Sequence, residues 1–189
     1  MENRYKNIHQ ELIDECRRGN SKAQFEIYKL YYKAMYNTSL RLMNDSLEAE
    51  DIMQDAFLKA FKNIHTYKEE VSFGAWLKKI VVNRSLDVLK KRKLDTNPLD
   101  ERTTAIIDDD DGEIFEDQAQ KVAEIKQAIS QLSENHRILV TLYLIEGYDH
   151  DEISQILEMT NAAVRTGYSR ARKKLQEILN DKKTSIWTN

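Results

Sequence analysis

The sequence holds one proline, five glycines and one cysteine in 189 residues. So few turn-forming residues exclude a turn-rich all-β fold and any collagen-like or proline-rich class. The single thiol, Cys16, cannot build an internal disulfide framework and fits a reducing compartment. No run approaches the roughly 18 apolar residues of a membrane span, and the opening stretch MENRYKNIHQELIDECRRGN lacks the apolar core of a signal peptide. His9, His65, His136 and His150 are scattered, none with a His or Cys partner at metal-ligand spacing. There is no glycine-rich phosphate loop and no Gly-x-Ser-x-Gly elbow. The run Asp108–Asp111 lacks the spaced oxygens and glycine of a calcium loop. The expectation is a cytoplasmic helical protein with no membrane insertion, no metal, no cofactor and no enzymatic chemistry.

What the sequence does have is charge, sorted by position. Lys and Arg total 29 and Asp and Glu 32, a net of −3 that conceals the sorting. Residues 95–120 contain ten acids, one base and the only proline, a net of −9. Like charges at that density repel and extend a chain, the mark of a linker. On either side, apolar residues recur every three or four positions, the period of a helix, and there is no internal repeat. The predicted architecture is all-α: two small helical domains, residues 1–94 and 121–183, joined by an acidic flexible linker at 95–120.

In the first domain Phe25, Tyr28, Tyr32, Met35, Tyr36, Ser39 and Met43 fall at helical spacing. Ser46 is placed to cap the next helix ahead of Glu48, Glu50 and Asp51, acids that favour the positive end of the helix dipole. Its apolar side is Ile52, Met53, Ala56, Phe57, Ala60, Phe61 and Ile64, which leaves Asp51, Gln54, Asp55, Leu58 and Lys62 on the other. Carboxylates beside an exposed leucine suit docking on a basic protein; a plain solvated face has the same composition. Ser72 is placed to cap a third helix. Its stretch 73–94 carries seven bases against Asp87 alone, a net of +6. Asn83, Asp87 and Lys90 share one face of it, Trp76 lies near the same line, and Lys79, Arg84 and Lys91 add charge. Rings, amides and ammonium groups suit the unstacked bases of a separated strand, although Trp76 taken alone also fits a bundle core. The preceding residues 63–68 are placed to line a pocket for such a base.

In the second domain Val122, Ile125, Ile129 and Leu132 keep helical spacing, Ser133 restarts a helix, and Gly147 suits its end. Asp149 with Glu152 reads as a capping box. A short helix follows with Ile153, Ile156 and Leu157 inward, then Glu158-Met159-Thr160, then Asn161 as the cap of a long helix burying Val164, Ala171, Leu175 and Ile178. That order is a helix-turn-helix. Residues 162–183 carry a net of +5. With the second helix in a major groove, Asn161, Arg165, Thr166 and Ser169 face base edges, and Arg170, Arg172, Lys173 and Lys174 face phosphates. On residues alone, two other functions stay open: a stand-alone helix-turn-helix regulator that binds duplex DNA as a dimer, and an adaptor that never touches DNA.

Three segments in order then resemble the sigma-70 family of bacterial RNA polymerase initiation factors, in its small extracytoplasmic-function (ECF) group with regions 2 and 4 only. AQFEIYKLYYKAMYNTSLRLM with AEDIMQDAFLKAFKNI looks like the start of region 2. FGAWLKKIVVNRSLDVLKKRK looks like its promoter-melting end, and the stretch from ISQLSENHRILV to ARKKLQEIL looks like region 4. The resemblance implies docking of Asp51, Gln54 and Asp55 on the largest subunit of core RNA polymerase. It implies action of Asn83, Asp87 and the following bases at the −10 promoter element, where duplex opens and a base is flipped. The last helix would read the −35 element, region 4 would also touch the polymerase flap, and an anti-sigma factor is an expected partner. The family's linker runs near the active-site and RNA-exit path, where Asp108–Asp111 would mimic nucleic acid. The sequence departs from the family at Glu158, where glycine is usual. It departs again at Gly167, where arginine or another polar residue is frequent. A mid-helix glycine costs about 1 kcal/mol relative to alanine and offers DNA no side chain.

Overall fold

The computed structural model describes residues 7–95 and 116–186, with side chains over 7–93 and 120–181. The chain divides into two compact units, Met1–Asp100 and Glu101–Asn189, and every regular element among the described residues is helical. The expected acidic linker lies, at 96–115, outside the described residues. Its two ends, Asp95 and 116–120, belong instead to helices.

The first unit contains α1 (Gln10–Arg17), α2 (Ser21–Met43), α3 (Ser46–Lys62), a 3₁₀ turn (Ile64–Thr66) and α4 (Phe73–Asp95). Asn20 caps α2 by accepting from the amides of Lys22 and Ala23. Asn44, at φ 57°, closes α2, and Asp45 caps α3 by accepting from the Glu48 amide at 3.0 Å. The cap is therefore Asp45 rather than Ser46, which is already helical. Two residues reverse the chain. Ser72 does start α4, its hydroxyl accepting from the Ala75 amide at 3.2 Å.

Helix α2 packs on α1, α3 and α4, and α3 packs on α4. The core they enclose centres on Ile27, Met35, Met53, Phe57, Phe73, Leu77 and Val81. Along α2 the residues at helical spacing divide: Met35, Ser39 and Met43 are buried, and Phe25 and Tyr32 are exposed. Ala23, Ile27, Leu40 and Leu42 take the inner positions. The rings form a rim at the surface, where Tyr28 stacks on Tyr32 with centroids 5.7 Å apart.

The second unit contains α5 (Glu116–Ser130), α6 (Glu134–Val140), a π-helical turn (Thr141–Ile145), α7 (His150–Leu157) and α8 (Asn161–Ile186). Ala128, Ile129, Leu132, Val140, Ala171 and Leu175 form its core. Gly147, at φ 78°, turns the chain out of the π-helical turn, and the Tyr148 amide donates back to the Leu142 carbonyl at 3.0 Å. The capping box forms as read: the Glu152 amide donates to Asp149 and the Asp149 amide to Glu152, both at 2.8 Å. Among the described residues no helix is long and apolar enough to cross a membrane.

Candidate nucleic-acid interface

Helix α3 turns Ala49, Ile52, Met53, Ala56, Phe57 and Ala60 inward. That leaves Asp51, Gln54 and Asp55 exposed beside Leu58, whose side chain is 70% exposed. Leu47, 75% exposed, extends the same side by one more turn. It went unremarked in the sequence, although it stands at helical spacing from Asp51, Gln54 and Leu58. The outer side of α3 is acidic at its middle, flanked by exposed Leu47 and Leu58, and ends on the exposed Lys59 and Lys62.

Helix α4 is anchored by Phe73, Leu77, Val81, Val82, Ser85 and Leu89, all buried. This inward register turns Lys79, Asn83, Asp87, Lys90 and Lys91 to solvent. The structure thus brings the expected −10 residues onto one side, with two exceptions. Arg84 is half-buried and donates to Asp55 of α3 at 2.8 Å, tying two faces that the sequence reading kept apart. Trp76 is half-buried, its ring tilted against Tyr67 at 5.2 Å and Phe73 at 5.4 Å. It supports the start of α4 from the core side. Arg92 forms a second bridge to α3, through Glu48.

In the second unit α7 and α8 pack as a helix-turn-helix. Thr160 caps α8: its hydroxyl accepts from the Ala163 amide at 3.2 Å and its carbonyl from the Val164 amide at 3.1 Å. Asn161, expected as the cap, is the first helical residue instead. Its side-chain Nδ2 donates to Asp151 Oδ1 of α7 at 2.6 Å, which engages it within the fold and pins the two helices together. Val164, Ala171 and Leu175 face inward, and Arg165, Thr166, Ser169, Arg170, Arg172, Lys173 and Lys174 are exposed. Lys174 is 3.3 Å from Glu177 one turn on.

Glu158 adopts φ 55°, ψ 41°, the left-handed conformation that glycine favours. Gly167 is half-buried. A Cβ there would lie 2.8 Å from Leu139 Cδ1, so the position faces α6 and its emptiness lets α8 approach closely. The Tyr143 ring lies tilted against Tyr168 of α8, centroids 4.3 Å apart, and against His150 of α7 at 4.5 Å. Burial, helped by Tyr143, raises the Tyr168 hydroxyl above its ordinary range. Burial, with Glu146 and Glu152 nearby, pushes Tyr148 up to about 12.

These two surfaces coincide with two known families of segment. A model of sigma-70 region 2 matches residues 27–94, and one of sigma-70 region 4 matches residues 123–175. The ECF RNA polymerase sigma factor SigM of Bacillus subtilis is 30% identical, over 82% of this chain and 94% of its own. The chain belongs to the ECF sigma factors. The RNA polymerase sigma-H factor of Pseudomonas aeruginosa is 29% identical over 90% of this sigma factor and 93% of its own length. A crystal structure of the sigma factor RpoE with the anti-sigma factor NepR, from Bartonella quintana, supports the fold. It aligns with a TM-score of 0.59 at 23% identity, over 82% of this chain and 95% of that one. Helices α3 and α4 fall in region 2 of the sigma factor, and α6 to α8 in region 4, up to residue 175.

Proposed function

We propose that this sigma factor docks on bacterial core RNA polymerase through Asp51, Gln54, Asp55 and Leu58 of α3. It then engages the −10 promoter element along Lys79, Asn83, Arg84, Asp87, Lys90 and Lys91 of α4, with Trp76 holding the start of that helix. Arg165, Thr166 and Ser169 meet base edges of the −35 element, Asn161 fixes the turn before them, and Arg170, Arg172, Lys173 and Lys174 meet phosphates. The observation that carries this reading is the outward stripe of lysines and amide on α4, next to a helix whose outer side is acidic and apolar. Separated strands offer bases to the amide and phosphates to the lysines. Binding them lowers the cost of opening the duplex, so initiation is directed without bond chemistry by the sigma factor; phosphodiester formation belongs to the polymerase. The site of action is the cytoplasm, and an anti-sigma factor, such as holds RpoE in the solved relative, is a partner that masks these faces.

Permanganate footprinting tests the division of labour. With core polymerase present, wild-type protein renders thymines of the −10 element reactive. Lys90→Glu with Lys91→Glu abolishes that reactivity while binding core normally, whereas Leu58→Asp loses core binding first. Normal melting by the double lysine variant contradicts the proposal.

A further inference from the structure

The loop that precedes α4, residues 67–72, is held by α1. Arg17 Nη2 donates to the Tyr67 carbonyl at 2.9 Å, and Arg17 Nη1 donates to Glu69 Oε1 at 2.7 Å. Gln10 Nε2 reaches the same Glu69 oxygen at 3.2 Å. At the far end of the loop the buried Asn7 accepts the Phe73 backbone amide at 2.8 Å and donates to the Tyr67 hydroxyl at 2.9 Å. That hydroxyl in turn donates to the Val71 carbonyl at 2.6 Å. Both ends and the middle of the loop are therefore fixed by side chains of α1 and of Asn7, three residues before it.

The loop would not hold this shape by itself. Glu69 sits at φ 63°, which costs a residue with a Cβ about 1–2 kcal/mol, and its carboxylate is the group that α1 grips. Backbone strain of this kind persists where neighbouring contacts impose it, and it concentrates at functional sites. His65, Thr66, Lys68 and Val71 are exposed around the strained residue. The loop leads straight into the first turn of α4, where Trp76 rests on Tyr67. A hydrogen-bonded frame thus runs from α1 through the loop to the start of the basic stripe. Helix α1 itself precedes the residues 27–94 that match region 2.

We infer that Asn7, Gln10 and Arg17 are positioning residues for promoter opening: they set the 67–72 loop in the shape that receives an unpaired base beside α4. None of the three touches DNA. The inference rests on the reading of α4 as the −10 face. Without Arg17, Glu69 loses its counter-charge and keeps only the longer Gln10 bond, and the loop relaxes away from the left-handed turn. Base selectivity falls while the lysine stripe remains.

The test uses holoenzyme assembled from core polymerase and the full chain. The probe is a fluorescent single strand carrying the non-template −10 sequence of a promoter that the wild type opens. Further strands each replace one base by an abasic site. Wild-type holoenzyme is expected to lose affinity at the position whose base the loop receives. Arg17→Ala, and separately Glu69→Gly, bind the intact strand about tenfold more weakly, a change within the range of one lost base contact. They bind the strand lacking that base as the wild type does. Glu69→Gly removes the anchor and the strain together, so its result does not depend on a weakened fold. Ile8→Ala, an exposed neighbour, leaves both affinities unchanged. Equal losses on intact and abasic strands, or no loss, overturn the inference. If wild-type holoenzyme binds these strands no better than core alone, the −10 reading fails first and this inference with it, before any variant is examined.

Discussion

Arg84 Nη2 on α4 and Asp55 Oδ2 on α3 lie 2.8 Å apart, an ion pair between the helix assigned to DNA and the helix assigned to polymerase. Arg92 and Glu48 repeat the arrangement further along α4. Both arginines of α4 are thus countered by α3. The exposed lysines at 79, 90, 91 and 93 carry the positive charge of its outer side. The docking face proposed on α3 and the DNA face proposed on α4 share a charge.

That shared charge has a measurable consequence. Side chains 41% and 52% exposed make a pair worth no more than about 1 kcal/mol. Asp55→Asn therefore changes the denaturant midpoint little. It weakens affinity for core polymerase, and it leaves Arg84 more available to phosphate. In titrations of holoenzyme already saturated with core, the affinity for single-stranded −10 DNA is unchanged or raised. A fall in that affinity contradicts the shared-charge relation.

At Glu158 a side chain occupies the left-handed turn between α7 and α8. Glu158→Gly is expected to stabilise the helix-turn-helix by about 1 kcal/mol. Slower hydrogen exchange of amides in α7 and the first turns of α8 is the readout. Faster exchange shows that the glutamate contributes more than its backbone costs.

Gly167 makes the opposite case. Replacing it by a helix former normally gains up to about 1 kcal/mol, but here the new Cβ meets Leu139 of α6. Gly167→Leu is expected to destabilise the second unit by more than that gain and to lower binding to −35 duplex. A stabilised Gly167→Leu variant rules out close packing as the reason for the glycine.

Much of this was legible in the sequence because it is local chemistry. The all-α class, the Asp149–Glu152 box, the Gly147 stop and the Ser72 start each depend on residues a few positions apart. The caps at Asp45 and Thr160 were placed one residue late because Ser46 and Asn161 are also good capping types, and only backbone angles choose between neighbours. Phe25 and Tyr32 mark the helix correctly, but spacing does not show that their rings lie at a surface rim. The frame around the 67–72 loop was illegible: Arg17 and Glu69 are 52 residues apart, Asn7 and Phe73 are 66, and no periodicity joins them. The proposed −10 stripe was found through charge and spacing, but the arginines' partners on α3 were not, since pairing across helices depends on packing.

Buried Cys16 gives a pH signature for the first unit. Burial, with Glu15 adjacent, pushes its thiol up to about 11. A group whose pKa is raised on folding contributes stability that is complete below its unfolded value and is lost as pH rises through the folded one. Stability of the first unit should therefore decline from about pH 9 towards 11, less so in Cys16→Ala measured against its own neutral-pH value. Identical alkaline slopes in the two proteins contradict this assignment.

Arg165→Ala separates base reading from melting. The loss is expected to be large, on the order of tenfold or more, for transcription that depends on a −35 element. Transcription from a template already melted at −10 should change little. Equal losses on both templates contradict a base-reading role for the exposed Arg165.

Run-off transcription with purified bacterial core RNA polymerase on a library of genomic promoters, with and without this protein, bears on all of these at once. Addition of the chain is expected to produce transcripts from a restricted set of start sites that core alone does not use, and Leu58→Asp to abolish them. The same unselective transcription in the presence and absence of the protein, on every template, would contradict the assignment of α3, α4 and α8 to polymerase and promoter.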